Sequence, residues 1–190
     1  GDVNDDYIID ILDIVNVVNM VLTGGLNSPD FTDCALSDAD MTGDGTINIL
    51  DVIQIINVVL GNLNRSLEIS DSKEYVEIDA FRKNGNLYLT VKSEYAVGLE
   101  IDFNDFVTDV NLVDDKGYLI LNKLDQNIDK CVIYSSTNKQ FNNESFTLEI
   151  KDGAKLDCNR IKAIAGDKNG SNMSVRFTSP EVRNFAINSL

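Results

Sequence analysis

The chain contains no histidine, which removes every Ser-His-Asp, Cys-His and His-metal arrangement at once. It also lacks tryptophan. That weakens a sugar-stacking platform, although Tyr75, Tyr88, Tyr95, Tyr118 and Tyr134 remain. As strand residues these are expected half-buried, with their hydroxyls in water. Only three cysteines occur, Cys34, Cys131 and Cys158, at no metal-binding spacing. Cys131 and Cys158 fall in the same half and could pair in an oxidising compartment. Cys34 stands alone and is expected to be buried and inert. No apolar run approaches the roughly 18 residues of a membrane span, and no glycine loop of phosphate-binding type occurs. Positive charge is almost missing from the first third. Residues 1–65 hold eleven Asp, no Glu, and Arg65 as the one base, a balance of −10 out of −15 for the chain. So acidic a molecule is a poor partner for nucleic acid or anionic membrane. Acid supplied only as Asp, beside abundant Asn, suits short ligand arms in tight loops better than a solvated helix face.

What is present is a duplication. Asp2–Leu22 reads DVNDDYIIDILDIVNVVNMVL, and Asp40–Leu60 reads DMTGDGTINILDVIQIINVVL, 38 residues later. Ile11-Leu12-Asp13 and Ile49-Leu50-Asp51 occupy the same place in both copies. Oxygen side chains at loop positions 1, 3, 5, 9 and 12, with a main-chain carbonyl at 7, meet calcium's need for roughly six to eight ligands. The first loop supplies Asp2, Asn4, Asp6, Asp10 and Asp13 with the carbonyl of Ile8. The second supplies Asp40, Thr42, Asp44, Asn48 and Asp51 with the carbonyl of Thr46. Gly43-Asp44-Gly45 belongs to this second loop.

Each loop runs into an apolar segment with a thin polar stripe: Asp13, Asn16 and Asn19, then Asp51, Gln54 and Asn57. Spacing by three keeps a stripe on one helix face. The β-branched residues around it favour strand, but the loop's last ligand must lie in a helix's first turn, which decides for helix. Gly24-Gly25 and Gly61 then stop the two helices. Packing the pair antiparallel covers one side of each and leaves the other apolar, so the rest of the chain or a partner must lie against it.

From Leu67 the pattern changes to short, partly alternating runs separated by turn residues. Tyr75–Phe81, a turn at Asn84-Gly85-Asn86 and Leu87–Val91 read as a hairpin. Further strands are expected at Val97–Phe103, Val107–Val113, Tyr118–Leu121, Cys131–Tyr134, Ser145–Ile150, Ile161–Ala165 and Ser174–Phe177. Eight or nine such strands imply an antiparallel β-sandwich. Glu100, Asp102 and Asp105 fall at alternating or turn positions and read as solvated surface, not as a paired-carboxylate site. Asn-x-Ser sequons stand at Asn64, Asn143, Asn169 and Asn172. The fold class is therefore α+β as two modules: a double loop-helix module over 1–62, a linker at 63–70, an all-β sandwich over 71–179 and a tail at 180–190.

The duplicated loop-helix unit over 1–62 resembles the dockerin family, a pair of half-EF-hands. The resemblance implies two calcium ions, two antiparallel helices related by a pseudo-two-fold axis, and docking onto a cohesin module. Tyr7 departs from the pattern, since it stands where the loop's turn glycine belongs. A Tyr in a left-handed turn costs about 1 kcal/mol or more, so the first site is expected to be the weaker. Thr42 departs where Asn or Asp is usual. The family's contact positions fall here on Ile11, Leu12, Ile49 and Leu50. With Val15, Val18, Ile53 and Ile56 they make two apolar contact faces. In the second module, Ala96–Phe103, Phe146–Ile150 and the closing Ile161–Ala165 and Gly170–Phe177 hairpin resemble a cohesin-like sandwich, with a carbohydrate-binding or immunoglobulin-like module as the competing assignment.

These resemblances imply a secreted or cell-surface, non-catalytic protein for calcium-dependent assembly. Its partner would be a cohesin-like sandwich in the same chain, in a neighbouring copy or in another protein. The abrupt start, with the first ligand at residue 2, reads as a processed or trimmed chain. The alternative is the tether and accessory part of a secreted polysaccharide-degrading enzyme. About nine residues, 62–70, spanning at most roughly 30 Å, join the modules. If so short a link forbids docking within one chain, head-to-tail docking between copies yields an open fibre.

Overall fold

The computed structural model describes residues 1–61, 75–114, 116–122, 128–142 and 144–178. The expected linker at 63–70, the tail at 180–190, and Asn64 and Asn143 lie outside these residues. Both repeat helices form, α1 at Ile11–Thr23 and α3 at Ile49–Val59, and each begins with the same device. Asp10 caps α1 by accepting from the Leu12 N–H, while Asp13 reaches back to the Asp10 N–H, a reciprocal capping box. Asn48 and Asp51 repeat it at α3. Such a box satisfies helix-start donors that would otherwise lack partners. Between the copies a third helix, α2, runs from Asp33 to Ala39, capped by the Thr32 hydroxyl. No strong sequence signal marks this helix, and Cys34, expected buried, is exposed.

Nine strands follow: β1 Tyr75–Lys83, β2 Asn86–Lys92, β3 Ala96–Val107, β4 Asp109–Leu112, β5 Leu119–Asn122, β6 Ile128–Tyr134, β7 Phe146–Lys151, β8 Lys162–Asp167 and β9 Asn172–Phe177. Their order is β4-β7-β2-β1-β9-β8-β3-β6-β5. The sheet folds over on itself. Ile78, Leu89 and Leu148 on one half meet Leu99, Ile101 and Ile133 on the other in a single core. Strand β9 makes the corner, pairing with β8 through Ala165↔Met173 and with β1 through Tyr75↔Ser174. The β1–β9 pairing is parallel, so the sandwich is not antiparallel throughout. Cys131 and Cys158 are buried as free thiols.

Strand β3 decides how the modules meet. Leu99, Ile101 and Phe103 point into the sandwich core, as alternation requires. Its register shifts between Ala96 and Gly98. That shift leaves Ala96 in the sandwich core and Val97 in a second core. The second core joins Val97, Val132 and Tyr134 to the helices, so β3 and β6 are covered on both faces. The molecule is thus three layers deep, with helices on one half-sheet and the second half-sheet beneath. Tyr134 is only 2% exposed for this reason, unlike the half-wet tyrosine expected.

Candidate calcium loops and the helix seat

The two loops are framed alike. Asp13 Oδ1 accepts from the Val3 N–H at 2.8 Å, and Asp51 Oδ1 from the Thr42 N–H at 3.0 Å. Each of these buried carboxylates ties the start of its loop to the start of its helix. Asp2 accepts from the Asp6 and Tyr7 N–H groups, and Asp40 from those of Asp44 and Gly45. Asp6 accepts from the Ile8 N–H and Asp44 from that of Thr46. Position 6 turns left-handed in both copies, at φ 70° for Tyr7 and 81° for Gly45. Only the first therefore carries side-chain strain.

Among the described residues no three Asp, Glu, His or Cys side chains gather closely enough to hold a metal by themselves. Asn4, Thr42, Asn48 and the carbonyls of Ile8 and Thr46 would have to complete either ligand set. The charge balance fits a cation. Asp13 and Asp51 are fully buried, and residues 1–61 contain no Lys or Arg. Burial pushes the Asp51 carboxyl above its usual range, and the negative charge of Asp40 adds to the shift. A hard divalent ion would relieve both effects.

The eight expected contact residues divide by helix. On α3, Ile49, Leu50, Ile53 and Ile56 are buried, and the surface over the first three is the chain's own sandwich. Two glycines make the seat. A Cβ on Gly98 would lie 2.8 Å from Ile49 Cγ1, and one on Gly166 would lie 2.5 Å from Ile53 Cδ1. Glu100, expected in solvent, is instead 5% exposed. Its Oε2 accepts from the Ile49 N–H at 3.2 Å and its Oε1 lies 2.7 Å from Lys130 Nζ. A carboxylate there also meets the positive end of the α3 dipole. The expected polar stripe forms the rim of this contact. Gln54 Nε2 donates to the Asn169 carbonyl at 2.9 Å, and Asn57 Nδ2 to that of Lys168 at 3.1 Å. Asn138 Nδ2 donates to Asn57 Oδ1 at 2.7 Å.

On α1 the equivalent face is bare. Ile11, Leu12 and Val15 are 51%, 55% and 41% exposed, and Tyr7 and Ile8 in the preceding loop are exposed as well. Val18 is the exception, buried in the second core like its counterpart Ile56. Sequence reasoning missed Gly98, Glu100, Lys130, Asn138 and Gly166. The available signal was the run Ala96–Ile101, which carries no residue suited to water on its outward side apart from Glu100.

Residues 1–60 match the dockerin type I domain family. Dockerin type I domains bind calcium, in keeping with the two framed loops. No curated protein matches the chain. Three solved structures overlap it at low identity. An immunoglobulin-like protein from Nocardia farcinica is 13% identical, covering 54% of this chain and 83% of its own, with TM-score 0.36. The cohesin module of a Clostridium perfringens family 33 glycoside hydrolase is 9% identical over 56% of this chain and 97% of its own, TM-score 0.32. A non-cellulosomal cohesin from the archaeon Archaeoglobus fulgidus is 13% identical over 61% and 99%, TM-score 0.32. No helix of the described residues is long and apolar enough to cross a membrane.

Proposed function

We propose that this chain is a non-catalytic, calcium-dependent assembly module of the cell exterior, with one dockerin face committed to its own sandwich and the other offered to a partner. Two ions hold it, one in each loop. The observation that carries this reading is the unequal fate of two near-identical faces. Ile49, Leu50 and Ile53 are covered, while Ile11, Leu12 and Val15 are not. Covering an apolar side chain of this size contributes about 1.5–3 kcal/mol, so a contiguous bare patch on a small module marks a contact surface. The occupant we propose is the sheet face of a cohesin-type sandwich on another protein. The chemistry is the one α3 already meets: a β-sheet seat beside a helix start.

The internal contact also bears on fibre formation. The seat on β3 and β8 is filled by α3 of the same chain, so a head-to-tail fibre built on that seat would first have to displace it. We therefore propose that the chain alone is monomeric in calcium, in place of the open fibre that a short linker suggested. Isothermal titration of a panel of cohesin modules into the full chain tests the functional reading. It expects binding in calcium, no binding in chelator, and a loss of at least about tenfold for Leu12→Asp. Equal binding by Leu12→Asp, or binding unchanged by chelator, would refute it.

A further inference from the structure

We infer that the dockerin segment is locked onto its own sandwich in a single orientation, by Ile53 and Gln54, and cannot exchange its two pseudo-equivalent faces. The inference rests on the intramolecular docking proposed above. A duplicated module raises a specific question. Rotating it about its pseudo-two-fold axis would set α1 on the seat in place of α3, with Ile11 and Leu12 replacing the identical Ile49 and Leu50 and Asn19 replacing Asn57. Those three positions cannot discriminate. Two others can. Where α3 has Ile53 and Gln54, α1 has Val15 and Asn16, each one methylene shorter.

Both missing methylenes fall where the seat is most closely fitted. Ile49 and Leu50 share the space vacated by the absent side chains of Gly98 and Gly166, and Ile53 Cδ1 bridges the two glycines, 3.0 Å and 2.5 Å from where their Cβ atoms would stand. Valine has no such atom, so α1 would leave a void between the two glycines. Gln54 reaches the Asn169 carbonyl at the β8–β9 turn with its terminal amide. An Asn at the same helix position stops short, leaving that carbonyl without its donor. A lost methylene in a fitted pocket is worth roughly tenfold or more in equilibrium, and a lost hydrogen bond roughly fivefold. Together, about fiftyfold, they hold the flipped form at or below about one molecule in fifty. The glycine pair and its isoleucine therefore make the difference between the repeats into an address: α3 inward, α1 outward.

The test is methyl NMR of the full chain in calcium, with a soluble nitroxide reporting which methyl groups solvent reaches. The wild type should show one set of signals, with Leu12 and Val15 broadened and Leu50 and Ile53 protected. The exchange variant V15I/N16Q/I53V/Q54N reverses both preferences and should seat α1 in most molecules, broadening Leu50 and protecting Leu12. The milder Ile53→Val alone should raise the flipped fraction and give a second set of peaks. This variant keeps the test usable if the fourfold exchange does not fold. Doubled or equally protected Leu12 and Leu50 signals in the wild type overturn the lock, as does a folded exchange variant that keeps the wild-type pattern. Broadening of Val97 and Val132 in the wild type would mean that nothing sits on the seat, and would overturn the internal docking as well.

Discussion

Tyr7 and Gly45 hold the same place in the two loops and the same left-handed turn, yet only the glycine does so without strain. Relieving that strain is worth about 1 kcal/mol, so Tyr7→Gly should tighten calcium at the first loop by roughly fivefold and leave the second unchanged. Calorimetric titration of the metal-stripped protein resolves the two steps, and an unchanged first step would show that the strain is absorbed elsewhere. The thiols differ just as sharply. Cys131 is fully buried, and burial together with the nearby Glu100 pushes its thiol far above its usual range. Thiolate is the reactive form, so a disulfide-exchange reagent at neutral pH should label the native chain once, at exposed Cys34. Two or three fast-reacting thiols would contradict the burial of the sandwich pair. At this scale the repeated spacing made the two loops legible as matched turns framed by their own Asp side chains. Sequence reasoning misplaced Glu100, because an acid on a strand reads as solvated until something is known to lie over it.

Among the elements, the loop-helix units were readable because the ligand pattern, the caps and the apolar run all say the same thing within about a dozen residues. Helix α2 was missed. Its signals, the Thr32 cap and the short Ala35-Leu36 and Ala39 face, are too brief to stand out between two stronger patterns. The strands fell close to their expected places because turn residues such as Asn84-Gly85 punctuate them. The parallel β1–β9 pairing did not, since no local signal joins residues almost a hundred positions apart in sequence. The seat for α3 has the same non-local origin, and its glycines give it a direct test. Gly166 shows no left-handed backbone, so a side chain there is opposed by contact alone. Gly166→Val should unseat α3 and destabilise the helical layer by about 2 kcal/mol, while the sandwich core beneath keeps its stability. Urea unfolding followed separately by helix circular dichroism and by tyrosine fluorescence would separate the layers. A stable, fully docked variant would mean that the close approach is not required.

For the whole molecule, the helical layer and the sandwich meet at the start of α3. Asp51 belongs to a loop, caps α3 and sits at the base of the helix whose first N–H is held by Glu100. A metal ion in the second loop, as proposed above, would therefore be coupled to docking of α3, because each would fix the same helical turn. The most direct measurement is amide hydrogen exchange across the full chain, in calcium and after chelation. Chelation should strip protection from α1 and α3 together, while the sandwich strands keep theirs. Helices that both stayed protected without calcium would contradict this, because the loops would then be ornaments on a module that folds without them.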